Sequence, residues 1–160
     1  MESAATVIDY TSEYQSSIRR ILTRIGWGEQ YISSAEQNMQ YLSQDKENYR
    51  VYLAIKDNDA VGFLYVQFYA WNQLCQIHGL AVDPDAQRVG IASALVARAE
   101  DFAKTKNARG VYVDTPTTNT GGRKFYEAIG YQFGYIMPRY YEDKLDGVTY
   151  QKFFDALQTS

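Results

Sequence analysis

Very little in this chain can staple a fold or hold a metal. Its 160 residues include one cysteine, Cys75, and one histidine, His78. A lone thiol excludes an internal disulfide, and the pair falls short of the ligand set of a zinc site, so no metal is expected. No apolar run approaches the eighteen or so residues of a membrane span. The start, Met1-Glu2-Ser3-Ala4-Ala5-Thr6, lacks the basic segment and apolar core of a secretory leader. Basic excess is missing too: net charge is −3 and Lys and Arg are not clustered, which argues against nucleic acid. Neither repeat, linker nor low-complexity stretch interrupts the sequence. The expectation is a cytoplasmic protein of one domain, residues 1–160, without membrane contact.

What is present suits a packed globule. Apolar residues make up 46% and aromatics 15%, and a chain of this size buries roughly two thirds of its extended surface. Periodicity predicts strands over Ala5–Tyr10, Tyr49–Lys56, Ala60–Tyr69, Leu74–Val82, Gly110–Thr115, Tyr131–Met137 and Val148–Phe154. It predicts helices over Ser12–Ile25, Tyr31–Leu42, Gly90–Lys106 and Thr120–Ile129, and a late loop over Tyr140–Gly147. Leu74–Val82 and Gly110–Thr115, joined through a helix, should be parallel neighbours. The class is mixed α/β.

The densest signal lies between residues 74 and 92. A strand ends at Leu80-Ala81-Val82, a short turn follows, and Gln87-Arg88-Val89-Gly90-Ile91-Ala92 leads into a helix whose stripe is Ile91, Leu95, Ala99 and Phe102. The first N–H groups of a helix have no internal partner and face the positive end of its dipole, so such a junction is an anion site. Gly90 lets a bulky phosphate approach the backbone closely. A dinucleotide Gly-x-Gly-x-x-Gly and a Walker Gly-Lys-Ser/Thr ending are both missing.

Gln87-Arg88-Val89-Gly90-Ile91-Ala92 resembles the Gln/Arg-x-x-Gly-x-Gly/Ala signature of the GNAT superfamily of acyl-CoA-dependent N-acetyltransferases. A second block, Asn119-Thr120-Gly121-Gly122-Arg123-Lys124-Phe125-Tyr126-Glu127-Ala128-Ile129-Gly130-Tyr131, is similar to that family's Asn-x-x-Ala-x-x-Phe-Tyr-x-x-x-Gly-Phe segment. Gly122 there replaces the small Ala, and Tyr131 replaces Phe. The resemblance implies a GNAT-like fold: a central mixed β-sheet flanked by helices, with two splayed parallel strands whose gap takes the pantetheine arm. It further implies acetyl-CoA as co-substrate, bound by the backbone of Leu80, Ala81 and Val82 and by Gln87, Arg88, Val89, Gly90, Ile91, Ala92 and Ser93. An N–H at Leu80 or Ala81 would polarise the thioester carbonyl.

Asn119 either caps the following helix or, by the resemblance, touches the cofactor arm. Tyr126 either packs beside Phe125 or, by the resemblance, protonates the departing thiolate. Where many members of the family carry Glu on the central strand, this chain has Gln76, which cannot take a proton at neutral pH. His78, two residues on, should share a strand face with Gln76 and Leu80 and is the candidate base, its alternatives being plain packing or a water chain. Glu29, Glu142 and Asp143, beside Trp27, Tyr31 and Tyr140, would suit a cationic amine or be solvated loop charges. The implied function is acetyl transfer to a primary amine by direct attack in a ternary complex, the acceptor being a small molecule or a peptide; a homodimer is an open possibility. The alternative of a different class is a non-catalytic acyl-CoA-binding or sensor module with the same fold.

Overall fold

Two apolar faces of one sheet, each covered by helices, organise the molecule. The computed structural model describes residues 5–87 and 90–154. In chain order it contains β1 (Thr6–Asp9), α1 (Gln15–Arg24), α2 (Glu29–Leu42), β2 (Tyr49–Lys56), β3 (Asp59–Tyr69), β4 (Leu74–Val82), α3 (Ile91–Thr105), β5 (Gly110–Pro116), α4 (Thr120–Ala128), β6 (Gln132–Glu142) and β7 (Leu145–Phe153). Short 3-10 turns at Ser12–Tyr14 and Pro84–Ala86 precede α1 and α3. The sheet runs β1-β2-β3-β4-β5-β7-β6. All its pairs are antiparallel except β4 with β5, which are parallel and joined through α3 as expected.

Alternation along the strands feeds two cores. Leu64 and Val66 of β3, Cys75 and Ile77 of β4 and Val111 and Val113 of β5 pack with Ile91, Leu95, Ala99 and Phe102 of α3, and with Tyr126 of α4. On the opposite face Val51, Leu53, Phe63 and Ala81 meet Ile18, Ile21 and Leu22 of α1 and Ile32, Ala35 and Met39 of α2. Both α1 and α3 therefore read as amphipathic helices docked on opposite faces of one sheet.

Two expectations need correction. The late loop over Tyr140–Gly147 is mostly strand: β6 runs through Glu142 and β7 starts at Leu145. The hairpin turn is only Asp143-Lys144; Phe133, Tyr135, Ile136, Met137 and Glu142 pair with β7, and Tyr140 and Tyr141 fall in the register shift between them. A register shift between Met137 and Glu142 absorbs Pro138, which has no N–H to give a ladder, and Arg139, whose φ is +57°. The Arg139 N–H instead reaches Asp146 Oδ1 at 2.8 Å.

The second correction concerns β4. Tyr65 pairs with Gly79 and Val66 with Ile77, so His78 is an extra residue with no ladder partner on β3. Gln76 and His78 still share a face, but Leu80 passes to the other, where it packs on the α3 core like its ladder partner Leu64. Gly79 is suited to this bulge, because a Cβ there would lie 2.3 Å from the Tyr65 ring.

Leu95 is fully buried where α3 crosses the sheet. Leu95→Ala should lower unfolding stability by about 2–5 kcal/mol, read from urea denaturation with an unchanged m-value.

Candidate active site

The turn between β4 and α3 is fixed from below by charge. Asp83, 5% exposed, takes two hydrogen bonds from Arg24 Nη1 at 2.8 and 3.0 Å, and Asp85 takes one from Nη2 at 2.8 Å. Asp83 also accepts from the Asp85 N–H at 2.9 Å. The last arginine of α1 thus holds the loop from the neighbouring layer. Gln87 Nε2 donates to the Val82 carbonyl at 3.1 Å, closing the end of β4. Arg88 and Val89 lie outside the described residues. Gly90 then caps α3 at φ +83°, a conformation that disfavours any side chain, with open space where a Cβ would stand. Intrahelical bonding starts at the Ala94 N–H, which donates to the Gly90 carbonyl at 3.0 Å. Among the described residues the N–H groups of Ile91, Ala92 and Ser93 have no hydrogen-bond partner.

Beside this turn the sheet divides. The β4–β5 ladder runs from Leu74–Gly110 to Ile77–Val113 and stops. Past that point β4 stays paired with β3 as far as Val82, while β5 stays paired with β7 as far as Pro116. On its β5 side the backbone of His78–Val82 has no strand partner among the described residues. Such an edge can accept an extended ligand as if it were an added strand, and Leu80, Ala81 and Val82 all lie on it.

Tyr126 and Asn119 come from α4. The Tyr126 ring is 5% exposed, wedged against Phe125, Tyr131 and Tyr150 at centroid distances of 5.1, 5.8 and 6.2 Å. No described residue is hydrogen-bonded to its hydroxyl, yet that oxygen is not among the polar atoms sealed from solvent. Burial raises the phenol's pKa well above its usual 10.0. Asn119 is a helix cap: its Oδ1 accepts from the Gly122 N–H at 3.0 Å and its Nδ2 donates to Thr115 Oγ1 at 2.9 Å. A Cβ on residue 122 would lie 2.4 Å from the Asn119 amide nitrogen, which accounts for Gly where the family motif has Ala.

On the face opposite α3, next to the fork, lies a polar cluster. His78 Nε2 is 2.9 Å from Gln67 Oε1 and 3.4 Å from the Tyr69 hydroxyl, and its ring stacks on Tyr65 at 6.0 Å. Gln76 Oε1 accepts from the hydroxyls of Tyr69 and Tyr112, both at 3.1 Å, and its Nε2 donates to Asp114 Oδ2 at 3.3 Å. Asp114 also accepts from Thr149 Oγ1 at 2.5 Å and from the Tyr140 hydroxyl at 3.3 Å. Desolvation lowers the His78 pKa below 6.5, with Asp114 opposing it. Desolvation likewise pushes Tyr112 up to about 12. Asp114 is the one carboxylate of the cluster.

Sequence reading missed Asp114. Its signal was the alternation Tyr112-Val113-Asp114-Thr115, which sets a carboxylate at the strand end one residue past the last β4–β5 pair. The acidic residues singled out instead are engaged elsewhere: Glu29 pairs with Arg19 at 2.7 Å, and Asp143 pairs with Arg139.

The family model described as Acetyltransferase (GNAT) family matches residues 18–131. A streptothricin acetyltransferase of Streptomyces lavendulae is 31% identical over 85 residues, 52% of this chain and 45% of that protein, so the chain spans about half the length of this relative. A structure assigned to the GNAT family from Desulfovibrio desulfuricans superposes with a TM-score of 0.83 at 19% identity, covering 94% of this chain and 99% of that one. A Bacillus anthracis structure assigned as a streptothricin acetyltransferase, in complex with acetyl coenzyme A, gives 0.64 at 26% identity over 68% and 64%.

Because His78 is the sole histidine, its NMR titration is unambiguous. Its pKa should fall below 6.5, and Asp114→Asn should lower it further by removing the charge that favours the imidazolium. The sign for stability follows: a depressed folded-state value means that stability declines as pH drops through the unfolded value near 6.5.

Proposed function

The chain belongs to the GNAT acetyltransferase family, and on that premise we propose that it transfers the acetyl group of acetyl-CoA to a primary amine within a ternary complex. The observation that carries this reading is the fork: β4 and β5 part after Ile77–Val113, beside a helix whose first three N–H groups have no partner among the described residues.

In this reading the N–H groups of Ile91, Ala92 and Ser93, with Gly90 and the preceding Gln87-Arg88-Val89, bind the pyrophosphate. The pantetheine arm adds to the free edge of Leu80–Val82, and an N–H at Leu80 or Ala81 polarises the thioester carbonyl. Asn119 serves the site by fixing the start of α4, and hence the placement of Tyr126. The amine nitrogen forms a bond to the acetyl carbon as the carbon–sulfur bond breaks and the thiolate departs. Tyr126 donates a hydrogen bond to that sulfur. Its raised pKa keeps it protonated throughout the working range, so it yields its proton only as the newly acylated nitrogen releases one to restore it. His78, neutral at pH 7, takes the proton that the acceptor must lose before attack. A base has work to do, since an amine of pKa about 10.4 is only about 0.1% free at pH 7.5. The acceptor is read as a small molecule, the class named for the streptothricin acetyltransferase relative. Thiol release from acetyl-CoA across an amine panel tests the reading directly; no release with any amine would overturn it.

Gly90→Val should weaken acetyl-CoA binding by about tenfold or more; the added Cβ meets no neighbour within 4 Å, but a side chain at φ +83° is strained, so Tm should fall while the domain still folds. Titration calorimetry checks this.

Tyr126→Phe keeps the ring and removes one hydroxyl to which no described residue is bonded. Acetyl-CoA affinity and Tm should be nearly unchanged while kcat falls by roughly 10²-fold. Single-turnover rates with an acceptor for which chemistry limits the rate provide the measurement.

A further inference from the structure

Asp114 stands out by its place in the charge pattern of this protein. Many carboxylates that face the sheet and its helices are ion-paired: Asp83 and Asp85 with Arg24, Asp59 with Arg20, Glu29 and Glu36 with Arg19, Glu100 with Lys152, while Glu127 accepts from the Tyr150 hydroxyl away from the fork. Asp114 is half-buried at the fork, and no described Lys, Arg or His makes an ion pair with it. Its hydrogen bonds come only from neutral groups, those of Gln76, Thr149 and Tyr140. Around it stand the rings of Tyr69 and Tyr112, tied to it through Gln76, and of Tyr140. A half-buried carboxylate with no described cationic partner, flanked by phenol hydroxyls, is the chemistry of an ammonium site, which gains from the charge and from the neutral oxygens around it together.

We propose that Asp114 and the tyrosines around it bind an ammonium group of the acceptor, and that this group is not the attacking nitrogen. The second clause follows from the first. A carboxylate at contact distance stabilises the protonated amine and raises its pKa, so a nitrogen held there is a poor nucleophile. The substrate class is therefore an amine with at least two nitrogens: one free base at the fork, another held as a cation by Asp114. Gln76 fits this division. A carboxylate in its place would lie against Asp114 at the present 3.3 Å, and two such acids would share one charge; the amide instead donates to Asp114 and adds no second acid.

The proposal rests on the acetyl-transfer reading only for what happens after binding. Two measurements separate them. In the first, 1,5-diaminopentane and n-pentylamine are compared as acceptors with acetyl-CoA. The wild-type protein should favour the diamine in kcat/KM by about tenfold or more, and Asp114→Asn should bring the ratio to within about twofold. In the second, 1,5-diaminopentane is titrated by calorimetry onto the protein saturated with coenzyme A, where no transfer occurs. Its affinity should exceed that of n-pentylamine and fall by about tenfold or more in Asp114→Asn, with coenzyme A binding retained as the check of folding. Equal acceptor use and equal binding of the two amines by the wild-type protein would overturn the ammonium site, as would a preference that survives Asp114→Asn. If Asp114→Asn fails to fold, the wild-type comparison alone decides. Asp114-dependent diamine binding without any thiol release would uphold the site and overturn acetyl transfer; thiol release without diamine preference would do the reverse.

Discussion

The parting of β4 from β5 is the constraint on which the rest of this structure depends. A parallel pair in the middle of a sheet ordinarily satisfies both edges of both strands. Here the ladder ends at Ile77–Val113 while each strand remains paired on its outer side, β4 with β3 and β5 with β7. Backbone polar groups cannot be left buried without partners, so a gap of this kind must face solvent or a ligand. The bulge at His78 falls immediately past the last shared pair. It turns His78 toward Gln67 and Tyr69, and moves Leu80 to the α3 side. The bulge therefore divides side chains between a packing role and an exposed one at the point where the strands separate.

Much of this was legible in the sequence, because periodicity reports which face is buried. The seven strands, the four helices and the parallel β4–β5 pair all follow from apolar spacing and from the turn at residues 83–90. Two of the failures share one cause: pattern reading assumes regular pairing. Period two puts Gln76, His78 and Leu80 together, and only a register known from β3 shows an extra residue between them. Likewise Glu142-Asp143-Lys144 has the composition of a loop, but the strand carrying Tyr135, Tyr140 and Tyr141 continues to it and turns back within two residues. Asp114 was missed for a different reason. A carboxylate in a short alternating strand looks like any solvent-facing residue until its neighbours are known, and those neighbours are up to 38 positions away in sequence.

Gln76 shows how a departure from a motif can be explained by a residue elsewhere. Its amide is fully engaged, accepting from two phenols and donating to Asp114. Replacing it by a carboxylate would keep the two phenol bonds but lose the donor, and would set two negative charges side by side. The cluster tolerates one anion, and in this chain it lies on β5 rather than β4. The neutral tyrosines preserve that economy, since desolvation holds Tyr69 and Tyr112 above their usual pKa.

The same separation bears on how a chain of net charge −3 could serve a polyanionic co-substrate. Global charge sets long-range steering, but a local site is governed by groups within a Debye length, about 8 Å at physiological salt. At the junction with α3, Arg24 pairs with both Asp83 and Asp85 and offsets one of their two charges, while the first amides of α3 and the helix dipole add positive potential at that end. The unpaired carboxylate lies on the opposite face of the sheet. Under the proposed reading a polyanion and a polycation would approach from opposite faces, each to the potential that suits it. The fork is where the sheet is open between them, so the two could meet there without either crossing the field that repels it.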